Sequence, residues 1–131
     1  MIMTTELTCL LGLALWTLVL NHTPAIARIS KAGVAWGIGN RDEMPTVAPW
    51  VGRADRAQRN HLDNLPMLAI VILIAYITNQ MDSTTANASI VILASCVAHG
   101  LVYIFGITAL RGPCYVISIL AMLTIVGSIV T

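Results

Sequence analysis

Four long apolar runs divide the chain, over residues 7–27, 64–81, 83–110 and 112–131, and none contains Asp, Glu, Lys or Arg. At 1.5 Å rise per residue, each crosses a hydrocarbon core of about 30 Å, or most of it. Strands of a membrane barrel would alternate apolar and polar positions with period two, and these runs do not. The pattern predicts an all-α membrane protein, a bundle of four transmembrane helices. It is read as a single domain over residues 1–131, with spans at about 3–27, 50–79, 85–110 and 113–130.

Breaker residues place the joints. Gly33, Gly37, Gly39, Pro45 and Pro49 mark residues 28–49 as the one substantial loop. Pro49 suits the first position of the second span. Pro66 lies inside that span, freeing the carbonyl of Leu62 and kinking the helix. Pro24 bends the end of the first span in the same way. Arg111-Gly112 reads as a tight turn between the third and fourth spans. Although Ala25-Ile26-Ala27 resembles a cleavage site, the segment before the first run carries Glu6 and no basic side chain, which favours an anchor over a secretion signal.

One stretch breaks the apolar pattern sharply. Residues 52–66, GRADRAQRNHLDNLP, set Arg53, Asp55, Arg56, Arg59 and Asp63 directly against membrane-grade sequence. A charge at the bilayer centre costs about 2.5–3.5 kcal/mol even on the lenient insertion scale. The cluster therefore belongs at the interface or in a polar cavity between helices. At about 100° per residue, Arg53, Arg56, Asn60 and Asp63 fall within an arc of roughly 80°. Guanidinium, amide and carboxylate on one face suit a small zwitterion. The alternative is a solvated helix end laced by the i,i+4 pairs Asp55–Arg59 and Arg59–Asp63. In the third span His99 and Tyr103 share a face, and a membrane histidine usually faces the bundle interior; a core histidine bonded to a carbonyl is the other reading. Arg111 is placed at the end of that same helix, where it complements the dipole.

Composition agrees: 57% of the 131 residues are hydrophobic and only 10% charged, with a mean hydropathy of +0.83. A water-soluble domain of this size needs far more surface charge. The net charge of +1 is uninformative, but its distribution is not. Six of the seven basic residues lie in or beside the first loop, and the seventh is Arg111. The positive-inside rule puts those loops in the cytoplasm and both termini on the other side. No basic patch interleaved with aromatics points to nucleic acid. Cys9, Cys96 and Cys114 fall in separate spans without metal-ligand spacing and read as small apolar residues. The fragment Gly37-Ile38-Gly39 follows no strand pattern and carries no nucleotide signature.

The series R-A-x-R-A-Q-x-N-x-x-D-N-L-P at 53–66, H-x-x-x-Y at 99–103 and Arg111 eight residues on resembles the MAPEG family, membrane-associated proteins in eicosanoid and glutathione metabolism. The residues 39–43 and Pro49-Trp50 are similar to the first loop of its short bacterial members, which implies a bacterial inner membrane. The resemblance covers essentially the whole chain. It implies a homotrimer with glutathione held between subunits near the cytoplasmic side. It further implies that Arg56, Asn60 and Asp63 hold the tripeptide, with Gln58 and Arg59 as further contacts and Arg28 matching a basic residue at the end of the first span. His99 and Tyr103 match contacts from the third span, and Arg111 the arginine that stabilises the thiolate. Three positions depart from the pattern. Asp63 replaces a glutamate and reaches one methylene less far, Cys96 replaces an arginine, and Gly112 replaces a serine found in some isomerases.

The chemistry fits such a ligand. Glutathione carries two carboxylates and an ammonium, the complement of arginines plus one acid. A free thiol with a pKa of about 8.5 is mostly protonated at neutral pH, and a nearby guanidinium shifts it toward the reactive thiolate. A lipophilic small molecule, an electrophile or hydroperoxide, would arrive through the lipid bilayer. The functional expectation is thus a glutathione transferase or peroxidase. Two other classes compete: a non-catalytic membrane protein that binds lipid or modulates a partner, and a four-span exporter. The exporter needs an acid well inside the first span, and Glu6 sits at its edge.

Overall fold

The computed structural model describes residues 2–131. Four long helices, α1 (Thr5–Ala32), α3 (Pro49–Ile77), α4 (Ser83–Phe105) and α5 (Thr108–Val130), run up and down, and one short helix, α2 (Val34–Ile38), interrupts the first loop. All four long helices are apolar and long enough to cross a membrane. α4 packs against each of the other three, while α5 rests on α4 and α3. The core is a single cluster that includes Leu13, Leu68, Ile72, Ile92 and Ile125. Leucines and isoleucines also cover the outside, among them Leu15, Leu18, Ile70, Ile90 and Leu120, as a lipid-facing surface requires.

At 28 and 29 residues, α1 and α3 are about 43 Å long, whereas the 23 residues of α4 and α5 give about 34 Å. The surplus extends at the end where α1 finishes and α3 begins, the end that carries Arg28, Lys31 and the arginines of α3. The first loop is accordingly shorter than its breakers suggest, because α1 continues through Arg28 and Lys31 to Ala32. Past α2 the loop closes on itself. Trp36 donates through Nε1 to the Glu43 carbonyl at 2.6 Å, and the Arg41 guanidinium lies 5.3 Å from the Trp36 ring centroid.

The α4–α5 joint differs from the expectation. The turn is Gly106-Ile107, not Arg111-Gly112, and Thr108, Leu110 and Arg111 belong to α5. Gly106 adopts φ 78° and ends α4 in a Schellman arrangement: its N–H reaches the Tyr103 carbonyl, and that of Ile107 reaches Val102. Pro113 therefore sits inside α5 instead of opening it. Asn79, at φ 57°, ends α3 with the same bonding, Asn79 to Tyr76 and Gln80 to Ala75.

Polar contacts tie the bundle at both ends. Glu6, 3% exposed, accepts a hydrogen bond from Thr85 Oγ1 at 2.6 Å. Both residues lie in first helical turns, so the N-terminal ends of α1 and α4 converge on one carboxylate, where their dipoles favour its charge. At the opposite end Arg28 forks onto both oxygens of Asp55, with Nη1···Oδ1 at 2.9 Å. This is the one ion pair among the described residues; the pairs Asp55–Arg59 and Arg59–Asp63 do not form.

Close packing between α1 and α4 depends on small residues. A Cβ at Gly100 would meet Trp16 Cζ2 at 2.6 Å, whereas one at Gly127 meets nothing within 4 Å. Gly100→Ala should therefore destabilise the protein by about 1–3 kcal/mol through overpacking, while Gly127→Ala is neutral or mildly stabilising. Thermal unfolding in detergent checks the pair; equal melting temperatures would contradict the close approach.

Candidate functional site

α3 turns its small and apolar side inward: Ala54, Ala57, His61, Leu68 and Ile72 are buried. Apart from the inward His61, the polar side chains of residues 53–63 occupy the remaining arc. Taken at about 100° per residue, that arc runs from Asp55 and Gln58 through Arg59, Asp63 and Arg56 to Asn60 and Arg53. Arg56, Arg59 and Asp63 are exposed in the single chain. The two ends of the arc, roughly 170° apart, open onto different recesses.

The first recess, about 330 Å³, is lined by Asn60 from α3, His99 and Tyr103 from α4, and Thr108, Arg111, Gly112 and Tyr115 from α5. The Arg111 guanidinium lies 4.7 Å from the Tyr103 ring centroid, a cation–π contact. His99 meets Tyr103 edge-on, with ring centroids 5.6 Å apart and planes at 70°. The stem of Arg111 thus rises from the first turns of α5, and its head reaches over the last turn of α4. It does not cap the helix that bears it, since a cation near a helix N-terminus opposes that helix's dipole. A guanidinium backed by an aromatic face, among hydroxyl, amide and imidazole groups, can hold and stabilise an anion.

The second recess, about 220 Å³, is lined by Asn21, Pro24, Ala25 and Arg28 of α1, Trp36, Arg41 and Met44 of the loop, and Asp55 and Gln58 of α3. Arg28 is held by Asp55, and Gln58 donates through Nε2 to Asn21 Oδ1 at 2.9 Å. The chain therefore brings Asn60, His99, Tyr103 and Arg111 together, sets Arg28 and Gln58 on the other flank, and leaves Arg56, Arg59 and Asp63 on the outward arc between them. A larger concavity, about 650 Å³ along the α1–α3 seam, is mostly apolar with Lys31 as its one ionisable lining residue. It lies apart from this chemistry.

Several residues of the site escape the sequence reading. Tyr115 lies four residues after Arg111 and shares its face, which shows only once α5 is known to start before both. Helical spacing groups Arg53 with Arg56, Asn60 and Asp63, yet it serves the joint. Its Nε donates to the Ile104 carbonyl at 2.9 Å, and a Cβ at Gly106 would lie 3.4 Å from its Cζ. Arg53 thus satisfies a terminal carbonyl of α4 that no helical N–H reaches, beside the turn that delivers Arg111. Gly106 is the available signal, a glycine at the C-terminal end of a helix, whereas Pro113 lies inside α5 and marks no helix start.

Among known proteins, residues 7–131 match the sequence model of the MAPEG family. No curated protein and no solved structure matches the chain.

Arg53→Ala should cost about 1.5–3 kcal/mol, the range for a hydrogen bond from a charged donor. Amide exchange at Gly106 and Ile107 should accelerate selectively. Unchanged protection at those two amides would separate Arg53 from the joint.

Proposed function

The chain belongs to the MAPEG family, and from that premise we propose that this integral membrane protein is a glutathione-dependent transferase or peroxidase acting on lipophilic electrophiles or hydroperoxides. The observation that carries the reading is the Arg111 guanidinium over Tyr103 in a recess shared with Asn60 and His99. In this reading Arg111 is the counter-charge of the glutathione thiolate, and Tyr103 and His99 contact the peptide beside it. Arg56, Arg59 and Asp63 engage its carboxylates and ammonium. Asp63, one methylene shorter than glutamate, draws the ammonium closer to α3.

Arg28 and Gln58 cannot share that ligand within one chain, because they line the other recess. We therefore place them on the adjoining subunit of a homotrimer, where the second flank of one chain faces the first flank of its neighbour. The arrangement also covers the exposed polar arc of α3, which lipid would not tolerate. The arginine distribution supports a cytoplasmic site with both termini outside. Native mass spectrometry in mild detergent should find three chains, and a stable monomer that binds glutathione would contradict the shared site.

Thiolate absorbance against pH tests the chemistry. Arg111→Ala should lower the thiolate fraction of bound glutathione about tenfold at neutral pH, with the deficit vanishing at high pH where any thiol ionises. Arg56→Ala and Asp63→Ala should instead weaken binding with the thiolate titration of bound glutathione unchanged. Superimposable titrations for wild type and Arg111→Ala would remove Arg111 from the mechanism. Glutathione binding without thiolate or turnover would favour a non-catalytic binder.

A further inference from the structure

His61 faces into the bundle, 7% exposed, and its partner is on α1. Thr17 Oγ1 lies 2.8 Å from the Leu13 carbonyl oxygen and 2.7 Å from His61 Nε2. A hydroxyl has one hydrogen and a carbonyl none. For both contacts to be hydrogen bonds, Thr17 donates to Leu13 and His61 donates from Nε2 to Thr17. The neutral ring then presents Nδ1 as an acceptor, and no protein donor reaches it among the described residues. The same ring borders a small chamber of about 20 Å³, lined also by Asn60, Asn64, Cys96, His99 and Ser118. That volume exceeds the roughly 10–15 Å³ that one water requires, and the walls supply the two to four polar partners it needs. His99, 9% exposed, lines both this chamber and the Arg111 recess. Its ring nitrogens make no hydrogen bond to the protein among the described residues.

We propose that the chamber holds a single water bridging His61 to His99, so that Thr17, through His61, fixes the tautomer of the histidine beside Arg111. The hydrogen-bond inventory sets the direction of each link. His61 Nδ1 takes one hydrogen of the water. Ser118 commits its own hydrogen to the Tyr115 carbonyl at 2.7 Å, so its oxygen is an acceptor for the second. The lone pairs of the water are left for donors, and Asn64 commits one Nδ2 hydrogen to the Asn60 carbonyl. In the proposed chain His99 supplies the N–H that one lone pair accepts, with the Asn60 or Asn64 amide free to fill the other. The His99 nitrogen on the chamber side therefore carries the ring hydrogen, and the nitrogen on the recess side is an acceptor. Resting on the glutathione reading, that acceptor receives the hydrogen bond of the thiol or ammonium. Thr17 and His61 are positioning residues that touch no ligand.

The test uses full-length protein in lipid nanodiscs, with ¹⁵N-labelled histidine and a His22→Gln background that leaves only His61 and His99. Without ligand, nitrogen spectra should show one neutral tautomer for each ring and a contact from both to a slowly exchanging water. Thr17→Val should convert both signals to tautomer mixtures, and Thr17→Ser should restore them. Cys96→Leu, which fills the chamber, should abolish the water contact and alter His99 while His61 keeps its Nε2 hydrogen. Absence of the water contact in wild type overturns the proposal, as does an unaltered His99 signal in Thr17→Val. Should Thr17→Val not fold, Cys96→Leu decides alone: an altered His99 supports the chain, and an unaltered one overturns it. Calorimetry with glutathione is scored separately. A protein that binds none refutes the functional reading, while the ligand-free spectra still decide the water chain.

Discussion

Hydrocarbon does not solvate polar groups, and the layout of this protein follows from where each one is hidden. At one end Glu6 is enclosed between two helix starts, and at the other Arg28 and Asp55 neutralise each other. Thr17 and His61 pair midway along the same α1–α3 contact and its neighbourhood. The half-buried Arg28–Asp55 pair gives little net stability for its desolvation cost, and a neutral hydrogen bond such as Thr17–His61 gives about 1 kcal/mol. Their consequence is register. Helices packed by leucine and isoleucine alone can slide, but a carboxylate under Thr85 and a fork onto Asp55 each accept one position. Removing a single partner would leave an uncompensated charge, which is the costly state.

Register then determines where Arg111 appears. Arg111 is carried by α5, yet its head rests over Tyr103 of α4, so its place depends on the turn between them. That turn is short because Gly106 accepts a left-handed backbone. It is anchored from α3 because Arg53 occupies a terminal carbonyl of α4. One arginine of the polar stretch thus organises the joint, and the others remain available on the outward face. A cluster that looks like one column in sequence is divided: Arg53 serves the joint, and Arg56, Arg59 and Asp63 stay on the outward face.

Much of the fold was legible from hydropathy alone. Four charge-free runs became four helices, because apolar length is what a bilayer selects. The joint after the third run was not legible from charge, since residues 106–110 are as apolar as the helices on either side. Only the conformational freedom of Gly106 marks it. For the site, the i,i+4 spacing of His99 and Tyr103 survives intact. Of the pairs drawn from the same rule, Asp55–Arg59 fails because Asp55 meets Arg28 from another helix, while Arg59 and Asp63 both stay exposed without pairing. Local spacing cannot anticipate a partner 27 residues away. The same limit hid Thr17, which reads in sequence as one more polar break in an apolar run.

The two recesses constrain how copies of this chain can meet. If the flank with Asn60 and Arg111 and the flank with Arg28 and Gln58 form one site, the contact joins unlike surfaces. A twofold dimer pairs a surface with itself. On the flank with Arg111 it would set arginine against arginine, in a setting where water screens little of the repulsion. Unlike surfaces joined head to tail must instead close into a ring or continue as a filament. A membrane confines every copy to one plane and one orientation, so rotation about its normal is the operation left to relate them. The ring is then the closed solution, with one site at each seam. In such a ring each seam would set the Arg111 recess of one chain against the Arg28 recess of the next, so a subunit with Arg111 intact but Arg28 lost would be defective at one of its two seams.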